Sequence, residues 1–162
     1  MYRKKSEIIG TIQSYHAKVA DLYHKIYENE MDPDAKKIMH ELYEHEKFRV
    51  HYLEKHRKIA EAMNCHLEFP CEALLEQIDR CFINVNPEAV MTLNDIIRLE
   101  LHFDDCLIKL YAVLSSENEL NATLANTFYY MLKKTKKEEA FFASLLHNGQ
   151  KDIGVTIRQL NT

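Results

Sequence analysis

Glycine and proline are scarce in this chain, three of each in 162 residues, and tryptophan is missing. So few chain breakers leave little material for the many tight turns of an all-β fold. No period-two alternation is sustained either, so the pattern does not support a sheet. The four cysteines, Cys65, Cys71, Cys81 and Cys106, include no Cys-x-x-Cys pair. That spacing excludes a rubredoxin-type iron centre and a zinc ribbon. Long apolar runs are missing too. Ala140-Phe141-Phe142-Ala143 is far too short to span a bilayer, and no stretch of signal-peptide length follows the basic start Met1 to Gly10. These absences predict a cytoplasmic protein, without a membrane partner, whose cysteines are reduced, semi-buried apolar residues. No glycine-rich phosphate loop, nucleophile elbow or Walker-type motif occurs.

The formal charge is only −4, and the one basic cluster is Lys133-Lys134-Thr135-Lys136-Lys137. A helix spreads such a run around its cylinder, and Glu138 and Glu139 follow at once, so no nucleic-acid partner is expected.

What is present is helical periodicity. Asp32-Pro33 and Asn86-Pro87 each set a capping residue before a proline, as helix starts favour. Ser116 and Glu119 have capping-box spacing, and Gly149 reads as a stop. Helices are predicted over 5–30, 33–64, 88–114 and 119–148. Their apolar stripes include Ile8, Ile12, Val19 and Ile26; Ile38, Leu42 and Leu53; Ile97, Leu107 and Leu114; and Phe128, Met131, Leu132 and Phe142. Short links imply two antiparallel hairpins, and the passage from 65 to 87 can cross between them. The expected fold is all-α: an antiparallel four-helix bundle over 1–149, a short extra helix in the crossover between helices two and three, and a tail over 150–162.

Polar residues interrupt these stripes. His16 lies on helix one, Glu46 and Arg49 on helix two, Glu100 and Asp104 on helix three, and Lys136 and Glu139 on helix four. Interior carboxylates are costly unless something positive neutralises them, and a bundle core does this with metal ions or ion pairs.

At this point a resemblance enters. The stretch from Asp34 to Lys55, with Glu46-Lys47-Phe48-Arg49 where a Glu-x-x-His motif would stand, resembles the second helix of a rubrerythrin-type ferritin-like domain. Asp104 precedes Tyr111 by the seven residues found on that family's third helix, and His16 precedes Tyr23 likewise. The resemblance, over about residues 8–148, implies a ferritin-like bundle with a two-metal site. One Glu would come from each of two helices and Glu-x-x-His from each of the other two. Carried over by position, His16 stands for the first Glu, Glu46 and Arg49 for the second-helix pair, Asp104 for the third-helix Glu, and Lys136 and Glu139 for the fourth-helix pair. Only Glu46 keeps its identity.

Arg and Lys cannot ligate an oxygen-seeking metal near neutral pH. The expectation is therefore a degenerate site. Arg49 and Lys136 would take the places of the metals in a buried ion-pair network with Glu46, Asp104, Glu139 and His16. This points to a non-enzymatic structural or interaction module, a homodimer without cofactor. The alternative is a non-haem iron or manganese oxidoreductase or peroxide-handling protein with a shifted site drawn from His16, Glu46, Glu100, Asp104 and Glu139.

Outside this set, Glu41 with His45 and His102 with Cys106 are i,i+4 pairs able to ligate a transition metal, though neither shows further ligands nearby in sequence. Tyr15, Tyr23, Tyr43, Tyr111, Tyr129 and Tyr130 read as core and rim packing rather than redox relays.

Overall fold

Four long helices make up most of the chain: α1 (Lys5–Asn29), α2 (Pro33–Met63), α3 (Leu93–Ser116) and α4 (Ala122–Asn148). The computed structural model describes residues 2–30, 32–63, 66–68, 76, 78–116 and 122–148. The described residues are all-α apart from two three-residue strands, β1 (Tyr2–Lys4) and β2 (His66–Glu68). These pair antiparallel, with Arg3 opposite Leu67. The alternation criterion missed them because three residues are too few to display a period. No described helix is long and apolar enough to cross a membrane.

Local chemistry accounts for the helix starts. Asp32 Oδ1 accepts from the backbone N–H groups of Asp34 and Ala35 at 2.8 and 3.0 Å, so the predicted cap of α2 is in place. The start predicted at residue 88 is not a helix start. Asn86 Oδ1 instead accepts from the Glu88 N–H at 3.0 Å and closes a turn. The helix begins at Leu93, behind a reciprocal cap: Thr92 Oγ1 accepts from the Asp95 N–H at 3.2 Å, while Asp95 Oδ2 accepts from the Thr92 N–H at 2.9 Å. Of the expected crossover helix, residues 78–80 are helical and lead into a turn over 81–84. Asn84 there takes a φ of 70°, a left-handed conformation that asparagine tolerates. Ser116 is the last residue of α3, while its expected capping partner Glu119, the stop at Gly149 and the 150–162 tail lie outside the described residues.

Packing follows the predicted pairing of neighbours, α1 on α2 and α3 on α4. Gln13 hydrogen-bonds Glu54 at 2.9 Å near one end of the first pair, and Tyr27 meets His40 near the other, so these helices run in opposite directions. Both pairs feed one core. Ile12, Val19, Leu42, Leu53, Ile97, Leu107, Tyr111, Phe128 and Phe142 are all buried in it.

The cysteines depart from expectation. Cys81, in the turn before α3, is bonded to Cys106 on α3, across 25 residues of sequence. Neither is the free thiol expected. Phe82 in that turn packs on Phe103 of α3, a long-range contact that cysteine spacing does not encode.

Candidate functional site

The core is interrupted midway by a cluster of buried ionisable groups contributed by all four helices. α1 supplies His16, α2 His45, Glu46 and Arg49, α3 Glu100 and Asp104, and α4 Glu138; every one is at most 5% exposed. Helical spacing brings them together. Glu46 and Arg49, and likewise Glu100 and Asp104, are three or four residues apart and share a face.

Arg49 is the hub. Its Nη1 lies 3.3 Å from Glu46 Oε1 and 3.7 Å from Asp104 Oδ1, and its Nη2 pairs with Glu138 Oε2. His45 Nε2 lies 3.2 Å from the same Glu138 oxygen. On the other side, His16 Nδ1 is 2.5 Å from Glu46 Oε2 and its Nε2 is 3.0 Å from the Tyr111 hydroxyl. Tyr23 donates to Glu100 Oε2, and Tyr15 donates to the Phe103 carbonyl at 3.1 Å. These tyrosines are thus packed and hydrogen-bonded, whereas Tyr129 and Tyr130 lie at the surface.

Helix four corrects the sequence reading by one residue. Thr135 and Glu138 are 0% and 1% exposed, while Lys136 is exposed and Glu139 half-buried. Two stripes one residue apart both satisfy helical spacing here. The structure buries the one that carries Phe128, Met131, Phe142 and Leu145. The decisive signal was present in the sequence: this stripe offers larger apolar side chains and asks no lysine to be buried. Lys136 therefore supplies no central cation, and Glu138 replaces Glu139 as the acid. His45 was also missed as a central group. It lies beside Glu46, on a buried face of α2 wider than a single stripe.

The cluster holds four carboxylates against one permanent cation. Burial on this scale forbids leaving all four ionised without further compensation. Burial would push the Glu46 carboxyl up, but His16 and Arg49 outweigh it and hold it at about 2. Burial lowers the His16 pKa against the opposing charge and hydrogen bond of Glu46, and the ring bridges Glu46 at Nδ1 and the Tyr111 hydroxyl at Nε2. Burial and the Glu46 charge raise Glu100; burial and the Glu100 charge raise Asp104 well above the carboxylate range. Arg49 keeps its charge because Glu46, Asp104 and Glu100 outweigh the penalty of burial. Glu100 and Asp104 are thus the two carboxyls that burial and their neighbours' charges bias toward the protonated, neutral form. Glu100 Oε1 and both Asp104 carboxylate oxygens have no hydrogen-bond partner among the described residues.

A cavity of about 10 Å³ lies beside Arg49 and Glu138, walled by Phe48, Tyr52, Tyr130 and Lys134, room for about one water molecule.

The residues present do not fit a two-metal centre. At positions where the resemblance asks for imidazole or carboxylate, Arg49 offers only donors. Thr135, which the buried stripe of α4 sets in the place expected of Lys136, donates its hydroxyl to the Met131 carbonyl at 2.8 Å. The chain matches no protein-family model, no curated protein and no solved structure.

Proposed function

We propose that this chain is a ferritin-like, antiparallel four-helix bundle in which a guanidinium group has taken the place of metal ions, and that it acts as a non-enzymatic structural or interaction module. One observation carries the reading. Arg49 reaches Glu46, Asp104 and Glu138, acids from three different helices. A cation in that position does electrostatically what a bridging metal would do, without open coordination positions or accessible redox states. The paired helices and the shared core support the bundle geometry. The spacing of His16 to Tyr23 and of Asp104 to Tyr111 supports the ferritin-like register.

Glu100 Oε1 and the two Asp104 oxygens, which accept no hydrogen bond among the described residues, favour a second reading, in which one hard divalent ion, iron or manganese, binds at this pair. Carboxylate oxygens suit such ions, and a divalent charge would offset the acid excess.

One experiment separates the readings. The purified protein is loaded anaerobically with ferrous iron, and in parallel with Mn²⁺, then desalted and its metal counted per chain. No retained metal is the expected result. One equivalent that Asp104→Ala abolishes would establish the second reading. Two tightly held equivalents would overturn both.

A further inference from the structure

A separate group of metal-binding side chains lies where the turn over 81–84 meets α3. Cys81 is buried and Cys106 half-buried, and the two are joined as a disulfide. His102, one helical turn before Cys106, reaches the same point. One ligand atom from each of Cys81, His102 and Cys106 lies within 4.8 Å of the other two. Zinc–sulfur and zinc–nitrogen bonds of about 2.0–2.3 Å set tetrahedral ligands roughly 3.3–3.8 Å apart. The three groups therefore need only a small spread to surround one ion once the sulfurs separate.

His102 is held beside Cys81 by a hydrogen bond. Its Nε2 lies 2.9 Å from the Cys81 carbonyl oxygen. A carbonyl only accepts, so Nε2 carries the proton and Nδ1 keeps its lone pair. A metal-binding histidine typically has this arrangement, with its second nitrogen donating to a backbone carbonyl. The imidazole is exposed, which leaves a path for an ion and a position for a fourth, solvent ligand.

We propose that Cys81, Cys106 and His102 form a redox-gated site for zinc, with the disulfide and the bound ion as alternative states of the same cysteines. A dithiol reductant opens the site. It gives two electrons and two protons to the disulfide, the S–S bond breaks, two thiols form, and the dithiol becomes its own disulfide. Zinc then displaces the two thiol protons and binds both thiolates and His102 Nδ1. Two-electron oxidation of the thiolates by a disulfide oxidant re-forms the S–S bond and releases the ion. The site shares no residue with the charged centre, so it stands or falls independently of the reading above.

The test uses the full chain, reduced with a phosphine and then freed of it, and titrated with Co²⁺ as a spectroscopic probe for zinc. One equivalent should bind with a thiolate-to-cobalt charge-transfer band that zinc abolishes and that the air-oxidised protein lacks. The band should vanish in Cys81→Ser and in Cys106→Ser and persist when Cys65 and Cys71 are both replaced by serine. Affinity should fall by about tenfold or more in His102→Ala. A measurement on the unaltered protein guards against misfolded variants. Zinc should slow iodoacetamide alkylation of Cys81 and Cys106 but leave Cys65 and Cys71 unprotected. A reduced protein without the band, a band that survives both single serine variants, or alkylation unaffected by zinc would each overturn the proposal.

Discussion

Arg49 on α2 pairs with Glu138 on α4, and His45, one turn earlier on the same helix, lies 3.2 Å from the same carboxylate oxygen. This is a desolvated junction, so its response to mutation is asymmetric. Arg49→Ala leaves Glu46, Asp104 and Glu138 buried without their shared cation and should destabilise the fold by about 3–5 kcal/mol. Replacing the pair together, Arg49→Met with Glu138→Leu, should recover part of that loss, because an apolar pair strands less charge. Urea denaturation of the three proteins measures both numbers. If Arg49→Ala unfolds at the wild-type urea concentration, Arg49 is not the hub.

The register of α4 can be tested separately. Lys136→Ala removes an exposed side chain outside the cluster and should change stability by no more than about 0.5 kcal/mol. Glu138→Ala leaves Arg49 paired with Glu46 and Asp104 but removes the acid that faces its Nη2 and His45, and should cost about 1–3 kcal/mol. The reverse ordering in thermal melts would restore the register that places Lys136 at the centre.

The charge imbalance predicts a pH dependence whose sign can be worked out. Glu100 and Asp104 hold their protons in the folded chain above the pH at which the unfolded chain releases them. Above their ordinary values of 4.5 and 3.8, stability therefore falls as pH rises, until the folded groups ionise. Glu46 and His16 act in the opposite sense. Glu46, held at about 2, contributes stability that is lost as pH falls below 4.5, and the lowered pKa of His16 costs stability as pH falls below 6.5. Above neutrality only the buried pair remains. Asp104→Asn removes its larger share, so the melting temperature of the variant relative to wild type should be more favourable at about pH 8 than at about pH 5. A constant offset across that range would show that Asp104 carries no proton.

Much of this was legible in the sequence because helices write their buried faces at a fixed period. His16, Glu46, Arg49, Glu100 and Asp104 interrupt apolar stripes, and all five are buried together. Asp32 before Pro33 marked a true cap. What failed had physical causes. Asn86-Pro87 and Thr92 to Asp95 are competing start signals, and only the second offers a reciprocal cap. On α4, two stripes one residue apart fit equally until side-chain size is weighed. The Cys81–Cys106 pairing depends on how a turn folds back on α3, and no local pattern carries that.

The register of α4 also decides how a two-metal site would have to be rebuilt, which tests the ferritin-like proposal itself. If Arg49 stands where metal ions would, restoring ligands at the positions that face the cluster should create binding. The set His16→Glu, Arg49→His, Asp104→Glu, Thr135→Glu and Glu138→His places four glutamates, counting native Glu46, and two histidines at the ligand positions, beside native His45 and Glu100. A control set makes the same changes on α1, α2 and α3 but places its α4 pair at Lys136→Glu and Glu139→His. Those two side chains lie one residue off the buried stripe, and Glu138 stays in place. The first set should retain about two ferrous ions per chain after desalting, the ligand count of a di-iron carboxylate site, and the control fewer. Circular dichroism first establishes that both sets remain helical. Equal uptake by the two would mean that Thr135 and Glu138 do not occupy the ligand positions, and the ferritin-like register would have to be abandoned.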